Sequence, residues 1–286
     1  MSTFRRPFTL SVLSVSLGLF IGPTSSSAVP EILSLPQDAV VPHAIYGKYS
    51  VDAIATALVQ RLHRLVDGRS DGAPFFDFMG KTKITIAFDS KNLNSIMTGC
   101  FKNQHQTGAS RGMLAQATRA SVEDHLLKLR LEDTYQNSPA SIPNQIRPKY
   151  SYLSFQDFKA GMDSNTYLDR YGNTVALIKD EVKERSTFTP DDSLVVDDGT
   201  EGNSVRTFFL LEKPPLGNEE RYWEVQIWGT LCSQHVEAWL VNCPTTGTKK
   251  LQTPASAIAE LKATGIPVHQ CERNEFGFWK KGDELK

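Results

Sequence analysis

The stretch Tyr222-Trp223-Glu224-Val225-Gln226-Ile227-Trp228-Gly229 decides how the rest of the chain is read. In an extended strand, successive side chains alternate between two faces. Trp223, Val225 and Ile227 then form an apolar face suited to a core. Tyr222, Glu224, Gln226 and Trp228 form the other face, with a carboxylate between an aromatic ring and an amide and an indole beyond. That face is too polar for a plain core and too aromatic for simple solvent exposure. It reads as the floor of a cleft, and the blander alternative is an edge strand with one wet side.

Outward from this strand, the pattern expects others at Thr82–Phe88, Lys149–Phe155, Tyr171–Ile178, Ser186–Thr189 and Val205–Leu211. Val236–Val241 reads as a short buried element, and the chain returns as a strand from Gly265 to Val268. Val51, Ile54, Ala55, Leu58, Val59, Leu62 and Val66 recur at helical spacing, with Ser50 to cap the helix and Gly68 to stop it. Lys91–Met97 is a short helix closed by Gly99. Ser121 opens a further helix through Leu126, Leu127 and Leu131, with acids in its first turn that suit the macrodipole. Late in the chain, Thr253 caps a helix with Pro254 at its first position, Ile258 and Leu261 on its apolar face, and Gly265 after it. Helices first, then strands with one late helix, predict an α+β fold with a largely antiparallel sheet core.

The N-terminus has the marks of a signal peptide over residues 1–28. Arg5 and Arg6 precede a mostly apolar run from Leu10 to Ile21, and Ser26-Ser27-Ala28 is a small-x-small site. Cleavage is expected after Ala28, and the protein is expected to be secreted. Residues 29–49 hold several prolines and little periodicity, so they read as an N-terminal arm, and 50–286 as a single α+β domain. The 286-residue chain has a formal charge of −1, with no basic block. That composition argues against a nucleic-acid partner. No later run is long enough to cross a membrane, so none is expected to hold the protein there after signal cleavage.

All four cysteines, Cys100, Cys232, Cys243 and Cys271, follow the signal segment. An even count in an oxidising compartment suggests two disulfides, with three connectivities open. Cys232–Cys243 would close a short loop, and Cys100–Cys271 would tie the early half to the C-terminus. The rival reading of Cys232, His235 and Cys243 as metal ligands suffers from irregular spacing, and no metal is expected. The acidic loop Asp191–Glu201 lacks the full EF-hand pattern and reads as solvated.

Three strand-borne features come in order: Arg147 at a strand start, Ser186-Thr187-Phe188, and Glu224. Their nearly equal separations resemble the Arg…Ser-Thr-Ser…Glu pattern of the arginine-containing mono-ADP-ribosyltransferases. A second resemblance spans roughly residues 84–270. It rests on Gln104-x-x-Thr107-Gly108-x-Ser110-x-Gly112, Arg147-Pro148-Lys149-Tyr150, Thr187-Phe188-Thr189, Glu224-x-Gln226-x-x-Gly229 and Val236-Glu237-Ala238. These are similar to an uncharacterised bacterial domain of unknown function.

The first resemblance implies NAD as substrate, without a metal, and either a protein or water as acceptor of ADP-ribose. Cleaving the nicotinamide–ribose bond passes through an oxocarbenium-like state, which a carboxylate such as Glu224 stabilises. Arg147 supplies a planar, permanently charged fork for the pyrophosphate. Ser186 or Thr187 would buttress Glu224, Gln226 would help hold the ligand, and Tyr222 or Trp228 would stack on nicotinamide. The leading alternative is a non-catalytic secreted binding protein with a cleft for carbohydrate or peptide. A hydrolase built on His235 with Cys232 or Ser233 is the third class.

Overall fold

The computed structural model describes residues 30–34, 48–67, 80, 82–108, 119–120, 123, 144–155, 171–190, 223–243, 252–273 and 279–286. The expected strand Val205–Leu211, the acidic loop, the signal segment, Leu126–Leu131 and Tyr222 lie outside them.

Among the described residues, eight strands form one sheet: β1 (Thr82–Phe88), β2 (Lys149–Phe155), β3 (Thr174–Ile178), β4 (Ser186–Pro190), β5 (Trp223–Ile227), β6 (Val236–Val241), β7 (Val268–Arg273) and β8 (Trp279–Glu284). Their order is β4-β5-β2-β1-β3-β6-β7-β8. Neighbours run antiparallel except β6 and β7, which are parallel. A parallel pair needs a crossover, here containing a helix of residues Ala255–Lys262. The fold is α+β with a mostly antiparallel sheet, as the sequence pattern predicts.

Among the described residues, the α-helices delimited at both ends are, in chain order, α1 (Pro30–Ser34), α2 (Val51–Asp67), α3 (Leu93–Gly99), α4 (Gln104–Thr107) and α5 (Ala255–Lys262). Helix α2 starts where Ser50 caps it, with Ser50 Oγ accepting from Ala53 N at 3.2 Å. Its face of Ile54, Ala55, Leu58 and Val59 is buried against the sheet. The stretch expected as an arm contributes α1, whose Ile32 is fully buried in the same cluster.

Strand alternation sorts the sheet's two faces. Ile84, Leu153, Ala176, Ile178, Phe188, Val225, Ile227, Trp239 and Val241 join the main cluster with α1, α2, α3 and α5. Tyr152, Val175, Leu177, Ala238, Leu240, Cys243, Cys271 and Trp279 form a smaller cluster on the opposite face.

All four cysteines are paired, as Cys100–Cys232 and Cys243–Cys271, with Cα atoms 4.1 and 4.9 Å apart. This is neither Cys232–Cys243 nor Cys100–Cys271. Sheet order explains the choice, because Cys271 on β7 lies beside the end of β6, where Cys243 follows.

Two local expectations are corrected. Pro254, not Thr253, occupies the cap position of α5. The Thr253 hydroxyl instead accepts from Asn242 N at 3.0 Å and sits 3.3 Å from Thr174 Oγ1, tying the loop after β6 to β3. Arg119 and Ala120 are already helical, so the helix expected from Ser121 begins earlier.

Candidate functional site

Glu224 lies inward, at 7% exposure, on the face opposite α2. Pairing fixes its neighbours: Tyr152 of β2 is its register partner, and Thr85 of β1 is the partner of Tyr152. Glu224, Tyr152 and Thr85 therefore line up across three adjacent strands on one face. Thr85 is buried and its hydroxyl donates to Tyr152 O at 3.1 Å.

One residue pair further along, the face carries Thr187, Gln226 and Tyr150. Here the side chains address one another. Trp228 Nε1 donates to Thr187 Oγ1 at 2.9 Å, and Thr187 Oγ1 donates to Gln226 Oε1 at 2.9 Å. Gln226 Nε2 then donates to Glu224 Oε1 at 2.8 Å. Thr187, Gln226 and Trp228 are buried. Trp228 lies just past the strand, packs within the main apolar cluster, and still reaches this row.

Arg147 is also fully buried, and its Nη1 donates to Glu123 Oε2 at 2.7 Å. Tyr150 Oη donates to the other oxygen of Glu123 at 3.1 Å, and His105 Nε2 lies 3.3 Å from Oε2. Arg119 stacks over the Tyr150 ring at 4.1 Å. Burial works against the Arg119 charge, but Tyr150, Glu224 and Glu123 hold its ionisation above the usual guanidinium range. Burial, reinforced by the Glu123 charge, pushes the Tyr150 phenol well up, so it stays protonated. Arg147, Glu123, Tyr150 and Arg119 thus form one cluster, and the charge of Glu224 acts on its Tyr150 and Arg119 end.

Ser186 falls outside that cluster. It pairs with Ile227, one residue out of phase with the Glu224 face, and its hydroxyl donates to Val182 O at 2.8 Å. Thr187 is the member of this motif that shares a face with Glu224.

The turn after β5 is clamped from several sides. Arg185 donates from Nη1 to Trp228 O and from Nη2 to Thr230 O, and Lys149 Nζ donates to Gly229 O. Asp52 of α2 accepts from Thr230 N at 2.6 Å. Gly229 has φ +77°, and a Cβ there would stand 2.7 Å from Asp52 Oδ1 and 3.0 Å from Ala55 Cβ. Burial and the Arg185 charge lower the Lys149 pKa to about 8, against the pull of Asp52 and Glu123.

The polar segment from Gln104 begins as a helix. Residues Gln104–Thr107 form α4, closed by a capping box between Asn103 and Gln106, with Gly108 left-handed after it. Asn103 Nδ2 also donates to Asn144 O and Arg147 O, fixing the approach to β2. The spacing Asn103-x-x-Gln106 was the signal for this. Glu123, expected to serve the macrodipole, is the buried partner of Arg147 instead. Cys232 is bound in a disulfide and its backbone N–H donates to His235 Nδ1, so that pair offers no thiol nucleophile. Among the described residues, no three His, Cys, Asp or Glu gather to hold a metal, and no helix is long and apolar enough to cross a membrane.

Residues 90–208 match a family described as a protein of unknown function, DUF3626. No curated protein matches the chain. The matched span takes in β2, β3 and β4, and with them Arg147, Ser186 and Thr187, and stops before Glu224. The match is in line with the second resemblance, to an uncharacterised domain of unknown function.

Proposed function

We propose that this protein cleaves the nicotinamide–ribose bond of NAD, as an ADP-ribosyltransferase-like enzyme or an NAD glycohydrolase. The observation that carries the reading is the setting of Glu224: a nearly buried carboxylate, oriented by the Gln226 amide, opposite Tyr152 and within electrostatic reach of Arg119. As the C–N bond breaks, its electron pair leaves with nicotinamide and positive charge grows on the ribose. A fixed anion in a low-dielectric setting stabilises that charge strongly. Arg119, whose charge Glu224 helps to hold, suits the pyrophosphate, while Arg147 anchors Glu123. Water as acceptor gives hydrolysis, and a protein side chain gives transfer.

Two disulfides and the Arg5–Ala28 pattern support export to an oxidising compartment. A second reading, a non-catalytic secreted protein that binds carbohydrate or peptide, draws support from the way Thr187, Gln226 and Trp228 bond to each other.

The test is to incubate oxidised protein with NAD, follow free nicotinamide, and titrate NAD by calorimetry. Time-dependent release with saturable binding supports the enzyme. Neither release nor binding removes it and leaves the binding module.

A further inference from the structure

The hydrogen bonds from Trp228 to Glu224 have a compulsory direction. An indole N–H can only donate, so Thr187 Oγ1, 2.9 Å away, must accept. The single Thr187 proton is then free to donate to Gln226 Oε1 at 2.9 Å, closer than the Gln226 backbone carbonyl at 3.5 Å. A carbonyl oxygen can only accept, so the Gln226 amide is turned with Oε1 toward Thr187 and Nε2 toward Glu224 Oε1, at 2.8 Å. Reversing the amide would place Oε1 against the carboxylate, acceptor against acceptor, and would leave the Thr187 proton only the Gln226 backbone carbonyl at 3.5 Å.

We infer that Trp228 and Thr187 are positioning residues that fix the Gln226 amide so that Glu224 is held as an oriented carboxylate. They work through Gln226 and do not need to touch a ligand. The Trp228 end is itself secured, because Arg185 holds Trp228 O and Trp228 N donates to Arg185 O at 3.0 Å. The relay therefore connects the clamped turn after β5 to the acid on β5 itself, one strand in from the β4 edge. Among the described residues, Tyr152 of β2 is the register partner of Glu224, the charge of Glu224 also acts on Tyr150 and Arg119, and Glu123 accepts from Tyr150. Tyr150 stays neutral and Arg119 stays charged through the acid range, so neither obscures the titration of Glu224.

A donor to the charged form favours ionisation, and losing it shifts titration toward higher pH. The inference depends on the proposed reaction only for the chemical purpose of Glu224. Its test reads the carboxyl directly, so the two ideas can fail separately. Protein carrying glutamate labelled at the carboxyl carbon is titrated by NMR, with the Glu224 signal assigned by its loss in Glu224→Gln. Thr187→Val is expected to raise the titration midpoint by about one pH unit, while Thr187→Ser restores the wild-type midpoint. Trp228→Phe, which leaves the hydroxyl free to turn, is expected to raise it by about half as much. A folded Thr187→Val protein with a wild-type midpoint overturns the relay. Should Thr187→Val not fold, Trp228→Phe decides alone: a raised midpoint supports the relay and an unmoved one overturns it.

Discussion

Where the sheet faces α2, its side chains are Ile84, Ile178, Val225, Ile227 and Trp239. On the other side, at the β4 end, stand Thr187, Glu224, Gln226 and Tyr150. Both regions exclude water, for different physical reasons. The first gains stability from apolar area removed from solvent, roughly 1.5–3 kcal/mol for each large side chain. The second gains little net stability, because its hydrogen bonds replace equivalent bonds to water. A polar row kept dry and fully engaged instead fixes geometry. The same face turns apolar toward β3 and β6, with Leu177 and Ala238.

Several substitutions would break or sharpen this contrast. The largest loss of stability should come from the apolar face. Trp239 is fully buried, with its ring 5.9 Å from Phe88, and Trp239→Ala should cost about 3–5 kcal/mol by chemical denaturation. A comparable loss from Gln226→Ala would erase the distinction between the faces.

Next is the Cys100–Cys232 link, which joins α3 to the segment after the clamped turn across 132 positions. The double serine variant should lose about 2–5 kcal/mol, read as a lowered melting temperature. Smaller again is Gly229→Ala, where a positive φ and the crowding of Asp52 and Ala55 should cost about 1–3 kcal/mol.

The smallest effect is a pH dependence. Lys149 has a folded pKa of about 8 against roughly 10.4 unfolded, so between those values the unfolded chain binds more protons. Its burial penalty is therefore in full force below pH 8 and is relieved as pH rises. The stability of wild type relative to Lys149→Met should increase from pH 7.5 to 9.5 in urea titrations. A flat difference would mean the buried ammonium titrates as it does in water.

Much of the fold was legible. The bounds of β1 and β2 follow from alternation, and those of β6 from a mostly apolar run broken only by Glu237. Helix α2 was announced by its spacing and by Ser50. Strand β8 was missed because Trp279-Lys280-Lys281-Gly282-Asp283-Glu284 is mostly charged. It is an edge strand, where Lys281 can stay exposed and pair with Glu237.

The site was less legible, for a reason of parity. Which face Ser186 takes depends on the register between β4 and β5, and no local signal sets it. The observed register puts Ser186 with Ile227 and Thr187 with Gln226. Tyr152 and Thr85 meet Glu224's row only through long-range pairing, so nothing within β2 or β1 alone marks them out. Arg147 offered its charge to the reader, but its partner Glu123 looked like an ordinary helix acid.

The central claim is that Glu224 is kept on the polar face for chemistry and not for stability. It is tested most directly by nicotinamide release from NAD by wild type and Glu224→Gln, with thermal midpoints measured on the same samples. The account predicts release by wild type, a loss of at least about a hundredfold in the variant, and midpoints within about 3 °C of each other. Undiminished release by a folded Glu224→Gln protein would contradict it.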